Sequence, residues 1–340
     1  MVNRTELETI AGALISKGKG LLAADESLPT IQKRFTTLNI ASTEENRRAY
    51  REVLFTTNGL ENYISGIIMF DETIRQKTRD GKSFIDLLNR KGIIPGIKVD
   101  KGTIDMPGFP GEKITAGLDG LRERLKEYRD LGARFTKWRA VITIGSGIPT
   151  RVNIETNARI LALFASLSQE AGMTPVVEPE VLMDGDHDIN RCEETSFSVL
   201  NDVFSALRDY RVYLEGALLK ASMVLPGKSS PNQVQVAQVA ETTLRTLRRV
   251  VPAAIPGIVF LSGGQSPEQA TRHLNAMNAL GKQPWEISFS FARALQDPAL
   301  KTWMGSASNA VAAQNKLYHR AKCNSEARYG SYTEEVEKTA

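Results

Sequence analysis

The sequence predicts a single (β/α)8 barrel spanning residues 1–340, and two observations carry that expectation. Eight short apolar runs recur at 20–26, 64–70, 94–100, 133–141, 174–181, 212–220, 257–264 and 285–291. Their interiors are continuous rather than alternating in polarity, as strands covered on both faces require. Segments of helical periodicity fill the intervals without a linker, at about 115–131, 151–172, 190–210, 231–250 and 305–328. A doubly wound open sheet is the alternative, but no G-x-G-x-x-G turn follows the first run.

The elements follow in order. A short helix over about 4–17 precedes the first strand, GLLAADE, which carries Asp25 at its end. Ser42 and Glu45 form an S-x-x-E capping box ahead of a helix through Arg51. After the third strand, KGTIDMPGFPGEKI (101–114) is rich in Gly and Pro and reads as a long loop. Ser266, Pro267 and Gln269 open a helix that Gly281 closes. From Tyr329 the chain turns polar, and residues 329–340 are expected to form a mobile tail.

Composition narrows the function classes. With 41% apolar and 24% charged residues and a net charge of +4, the chain has no basic concentration suited to nucleic acid. The start, MVNRTELETI, lacks an apolar signal core, and no run approaches the ~20 apolar residues of a membrane span. The two cysteines, Cys192 and Cys323, lie far apart and outside any C-x-x-C pattern, which suits a reducing compartment. A cytoplasmic protein without nucleic-acid or membrane partners is expected.

Charged and polar residues fall repeatedly at the ends of the expected strands, where barrel chemistry gathers: Asp25, Lys98, Asp100, Lys137, Arg139, Glu178, Glu180, Lys220, Ser262 and Arg293. Strand side chains alternate faces, so Lys137 shares a face with Arg139, and Glu178 with Glu180. A salt-bridge network at the barrel top is the bland explanation. Anionic substrate groups account better for so many cations.

The stretch VYLEGALLKASMV (212–224) sets Lys220 among apolar neighbours, where an ammonium is costly to bury. An apolar strand and a nearby cation such as Lys137 both work against the charged form, and a neutral lysine is a nucleophile. Attack on a ketone followed by loss of water gives a protonated imine, an electron sink that lets a carbon–carbon bond two atoms away break. Glu178 is placed to protonate the departing hydroxyl, with Glu180 holding it. Asp25 is placed to take the proton from the hydroxyl whose carbon becomes an aldehyde. LSGGQS (261–266) enters a helix with free backbone N–H groups suited to phosphate, and Arg293 adds a charge. Such a turn alone also serves simply to tighten a loop.

Taken together, LLAADES (21–27), GIKVDKG (96–102), KWR (137–139), VEPE (177–180), DGDHD (184–188), LEGALLK (214–220), LSGGQS (261–266) and SFSFARAL (288–295) resemble the class I, Schiff-base-forming fructose-bisphosphate aldolases. The likeness runs in order over about residues 4–333. It implies a (β/α)8 enzyme, active without metal or other cofactor, that reversibly splits fructose 1,6-bisphosphate into dihydroxyacetone phosphate and glyceraldehyde 3-phosphate. By matching motif, Lys220 is the Schiff-base lysine, Glu178 the acid/base, and Asp25 the group acting on the C4 hydroxyl, with Lys137 and Glu180 in support. Ser262, Gly263 and Arg293 match the C1-phosphate site. Ser27, Thr30, Arg34, Lys98 and Arg139 match positions near the other phosphate. The family is usually tetrameric, so the resemblance implies a homo-oligomer.

This sequence departs from the family in places. Ala221-Ser222 stands where many relatives have Pro-Asn, and Ala292 where they often have Gly. The chain also stops at Ala340 without the longer tail ending in Tyr, so the enamine is expected to be protonated by an in-place group such as Glu178. Zinc-dependent aldol chemistry calls for several histidine ligands, and of His187, His273 and His319 only His187 lies near a strand end. A preference for sedoheptulose 1,7-bisphosphate, a transaldolase-like transfer and a non-catalytic scaffold are the competing readings. Intact Lys220, Glu178 and Asp25 argue against the scaffold.

Overall fold

A computed structural model describes residues 3–338. Its strands close into one parallel barrel in sequential order: β1 (Gly20–Ala24), β2 (Ile64–Met69), β3 (Ile94–Lys98), β4 (Phe135–Ile142), β5 (Thr174–Val181), β6 (Leu218–Ala221), β7 (Gly257–Phe260) and β8 (Glu286–Phe291). The ring closes where Leu21 pairs with Ser290. Each of the eight apolar runs in the sequence contributes one strand.

Two apolar layers hold the barrel. Leu21, Ala23, Ile68, Phe135, Val176, Leu218 and Val259 pack together in its interior. Helix α1 (Arg4–Leu14) floors that interior, since Ala11, Leu14 and Ile15 join the same cluster. Gly96 is required here, because a Cβ on it would lie 2.2 Å from the Phe135 ring. The larger second layer lies between the strands and the surrounding helices, and includes Trp138, Phe164 and Trp303.

Several local expectations are corrected. Val212 to Ala217 do not extend the sixth strand: Leu214–Gly216 forms a 3-10 turn packed on α1, and the strand begins at Leu218. Gly216 allows that approach, since a Cβ there would meet the Leu7 side chain at 2.6 Å. The expected loop 101–114 holds an antiparallel hairpin, Thr103–Asp105 with Lys113–Thr115. The capping residue of helix Glu44–Phe55 is Thr43, which accepts from the Asn46 N–H, rather than Ser42. Ser266 does cap helix Pro267–Ala279 through the Gln269 N–H.

The tail is placed against the barrel's outer helices. A short helix, Glu334–Lys338, follows buried Tyr332, and Glu337 pairs with Arg320 of helix Ala310–Arg328. Residues 339–340 of the expected tail lie outside the described residues. Tyr329 covers Gly18 beside the start of β1, at the end of the barrel opposite the polar residues.

Candidate active site

The interior apolar layer fixes where the functional side chains point. Lys137 lies two residues after Phe135, Glu178 two after Val176, Lys220 two after Leu218, and Asp25 two after Ala23. Side-chain alternation therefore turns all four inward, one layer above the apolar filling. They form the floor of a cavity of about 890 Å3 at the C-terminal ends of the strands. Every site residue read from the sequence lines it: Asp25, Ser27, Thr30, Arg34, Lys98, Lys137, Arg139, Glu178, Glu180, Lys220, Ser262, Gly263 and Arg293.

Lys220 is only 3% exposed, and its Nζ lies 3.1 Å from Glu178 Oε1. The other oxygen of Glu178 lies 2.7 Å from Lys137 Nζ, which also contacts Asp25 Oδ2 at 3.0 Å. Two ammonium and two carboxylate groups thus alternate in a buried row, Lys220–Glu178–Lys137–Asp25. Burial alone would raise the pKa of Asp25, but Lys137, Lys220 and Lys98 outweigh it and bring the carboxyl down to about 2. The same contest leaves Glu178 below the ordinary glutamate range, with Lys137 and Lys220 overcoming desolvation. Burial opposes the charged form of Lys137, yet Asp25 and Glu178 hold its pKa above the usual lysine value.

The pairing differs in one respect from the sequence reading. Glu180 does not hold Glu178; it accepts from Arg139 Nε, while Glu178 is held by the two lysines. Lys137 and Glu180 support the site from different pairs.

On one side of the row, Ser262 is buried and Gly263 and Gly264 both have positive φ, 55° and 93°. Consecutive left-handed glycines turn their N–H groups toward one concavity. Arg293 reaches this turn: its guanidinium is 3.5 Å from the point a Gly264 Cβ would occupy. Lys228, which the sequence reading did not single out, approaches the same point at 2.8 Å while pairing with Asp184 at 2.9 Å.

On the other side, Lys98 pairs with Asp100 at 2.5 Å, and Asp100 also accepts from the Arg139 backbone N–H. Arg34 pairs with Glu26 and with Asp297, the latter at 2.8 Å. Glu26 is shared with buried Arg51 at 2.7 Å. Ser27 and Thr30 hydroxyls lie 3.0 Å apart at the start of helix Leu28–Thr36. Glu26, Arg51 and Asp297 were missed because their roles depend on how three helices meet; the sole hint was Glu26 adjoining Asp25. Ser222 donates to the Val181 carbonyl at the end of β5.

Comparison with known proteins finds one family throughout. A family model described as fructose-bisphosphate aldolase class-I matches residues 6–340. A protein of Xanthomonas campestris named probable fructose-bisphosphate aldolase class 1 is 55% identical, over 96% of this chain and 98% of its own. The cytosolic fructose-bisphosphate aldolase 4 of Arabidopsis thaliana is 51% identical, over 98% of this chain and 85% of its own. Among solved structures, the fructose-bisphosphate aldolase of Plasmodium falciparum, crystallised with TRAP and a small-molecule inhibitor, superposes with a TM-score of 0.96. It is 50% identical, over 97% of this chain and 95% of its own.

Proposed function

Because the chain belongs to the class I fructose-bisphosphate aldolase family, and glycolytic aldol cleavage is its function, we propose how its side chains divide that reaction. The reading rests on one observation above the rest: Glu178 lies in contact with both Lys220 and Lys137 in a buried row. Glu178 begins as a carboxylate and accepts a proton from Lys220, which leaves a neutral amine facing a neutral acid. The amine attacks the C2 ketone. Glu178 then returns its proton to the carbinolamine hydroxyl, water departs, and a protonated imine remains on Lys220.

Asp25, an ionised carboxylate with its pKa brought down to about 2, accepts the proton of the C4 hydroxyl. As that proton leaves, the C3–C4 bond breaks, its electron pair moves into the iminium to form an enamine, and glyceraldehyde 3-phosphate departs. Lys137 stays cationic between Asp25 and Glu178 and keeps both oriented. With the aldehyde gone, water entering the cavity carries the C4 proton from Asp25 to Glu178, which protonates the enamine at C3. Hydrolysis of the resulting iminium then releases dihydroxyacetone phosphate and returns Asp25 and Glu178 to carboxylates. Ser262, Gly263 and Arg293 take the C1 phosphate; Lys98, Arg139, Arg34, Ser27 and Thr30 take the other.

This reading treats residues 1–340 as one catalytic barrel, working in the cytoplasm as a homo-oligomer. Relatives named as cytosolic support the location, and no described helix is long and apolar enough to cross a membrane. Fructose 1,6-bisphosphate is taken as the substrate, a reading supported by relatives named fructose-bisphosphate aldolases. Borohydride reduction in the presence of dihydroxyacetone phosphate tests the central step. It is expected to add a stable mass to the peptide bearing Lys220. Labelling that persists at another lysine in Lys220→Ala overturns the assignment.

A further inference from the structure

Away from the barrel mouth, two helices bring three side chains of metal-ligand type together. His319 and Cys323 lie four residues apart in helix Ala310–Arg328, which places them on one face, and Glu337 comes from helix Glu334–Lys338. Ligand atoms of all three lie within 4.8 Å of one another, and this is the one such group of His, Cys and acidic residues among the described residues. Cys323 Sγ is 3.5 Å from His319 Nε2, and Glu337 Oε1 is 3.5 Å from the same nitrogen.

The glutamate separation is long for an imidazole–carboxylate hydrogen bond, whose usual length is about 2.9 Å, whereas the sulfur separation is ordinary for a thiol–imidazole contact. Both also match two edges that meet at one corner of a tetrahedron. Bonds of about 2.3 Å to sulfur and about 2.0 Å to nitrogen and oxygen, at tetrahedral angles, separate S from N by about 3.5 Å and N from O by about 3.3 Å.

The surroundings point the same way. Arg320 donates to both oxygens of Glu337, at 2.7 Å to Oε2, and the Tyr332 hydroxyl donates to that oxygen at 2.5 Å. Carboxylates that ligate metals are characteristically held by such outer partners. A cavity of about 430 Å3, bordered by His319, Arg320, Glu337 and Glu268, gives solvent a route to the group.

We propose that His319, Cys323 and Glu337 bind one divalent ion of the zinc class, with water in the fourth position. The Cys323 thiol gives its proton to solvent as the ion enters, and thiolate and carboxylate face the ion with two negative charges, that of Glu337 shared with Arg320. None of the three residues lines the Lys220 cavity, so the ion takes no part in aldol cleavage. Its effect is to fasten helix Glu334–Lys338 to helix Ala310–Arg328. Arg320 extends that fastening, because it also donates to the Pro267 carbonyl and Thr271 hydroxyl at the start of the helix that follows the 261–266 turn.

The test uses the full chain stripped with a chelator, then titrated with zinc against a chromophoric competitor, and separately with cobalt(II). Wild type is expected to take up one equivalent of zinc and to show a thiolate-to-cobalt charge-transfer band. Cys323→Ser should abolish the band and weaken zinc by about a hundredfold, and Glu337→Gln should weaken it by about tenfold. Cleavage rates stay at the wild-type level in both, which certifies the fold. Should Cys323→Ser fail to fold, His319→Gln carries the same hundredfold expectation. No stoichiometric zinc in wild type, or equal zinc affinity in wild type and the ligand variants, overturns the proposal.

Discussion

The two flanks of the Lys220 cavity hold their cations in different states. On the flank of the 262–264 turn, Arg293 has no ion-pair partner among the described residues, and the turn offers backbone N–H groups beside it. On the opposite flank each cation assigned to the second phosphate is already engaged: Lys98 by Asp100, Arg139 by Glu180, Arg34 by Glu26 and Asp297. A phosphate arriving at Arg293 and the turn on the first flank gains contacts without breaking an ion pair, although the neighbouring Lys228, held by Asp184, is already engaged there. At the second it must exchange carboxylate for phosphate, so only a difference between two ion pairs remains as binding energy. The open flank should therefore dominate affinity for any phosphorylated ketose, while the engaged flank supplies the smaller preference for a second phosphate.

Lys220 lies between the flanks, and its removal should erase the distinction. Lys220→Ala is expected to lose several orders of magnitude in cleavage of both fructose 1,6-bisphosphate and fructose 1-phosphate, because neither flank can replace the covalent step. Comparable kcat/KM losses for the two substrates, in a variant with a native circular dichroism spectrum, are the expected readout.

Arg293→Ala probes the open flank. Loss of a charge-assisted hydrogen bond is worth roughly 1.5–3 kcal/mol, or about ten- to 150-fold in kcat/KM. The same factor should appear for bisphosphate and monophosphate. A loss confined to the bisphosphate would reverse the assignment of the flanks.

Acid stability addresses the row between the flanks. The pKa of Asp25 is lowered on folding to about 2, so its ionised form stabilises the protein above the ordinary carboxylate range. That contribution, on the order of 2 kcal/mol, is retained at neutral pH and lost as pH falls from near 4 through about 2. Urea midpoints for wild type should therefore drop over that window, and Asp25→Asn should drop less steeply. Parallel curves would show that the row does not bias Asp25.

The sequence made the row legible and left the difference between the flanks hidden. Apolar filling followed two residues later by a charge is a one-dimensional pattern, so Lys137, Glu178, Lys220 and Asp25 could be read from alternation alone. Helix Arg293–Trp303 was not read, since Pro298 lies inside it, and neither was helix Leu28–Thr36, with Pro29 in its first turn. Those two helices bring Arg34 to Asp297 across 263 positions of sequence. No local pattern encodes such a contact. The Cys323–Glu337 cluster was missed for the same reason, and also because Glu337 lies in the segment read only as a polar, mobile tail.

Arg139→Ala tests the engaged flank directly. Arg139 gives up Glu180 to meet phosphate, so its net worth should fall to about 1 kcal/mol, roughly fivefold in kcat/KM. The effect should appear for the bisphosphate and be nearly absent for the monophosphate. Equal losses for both substrates would show that Arg139 acts on the catalytic row through Glu180 rather than on a phosphate.

The smallest effect should also have the opposite sign. Asp297 is the more exposed of the two acids holding Arg34, with 33% of its side chain accessible against 7% for Glu26. Removing Glu26 would strand buried Arg51, a change that costs several kcal/mol of stability and obscures any effect on binding. Asp297→Asn avoids this, because Glu26 still neutralises Arg51 and part of Arg34. A partly exposed ion pair of this kind is worth about 0.5–1 kcal/mol. Freed from that competition, Arg34 should bind the second phosphate more readily and lower KM for fructose 1,6-bisphosphate by about two- to fivefold. KM for fructose 1-phosphate should not move, since that substrate leaves the flank empty. A rise in the bisphosphate KM would mean that Asp297 positions Arg34 for phosphate rather than withholding it, and the two flanks would then differ in geometry but not in readiness.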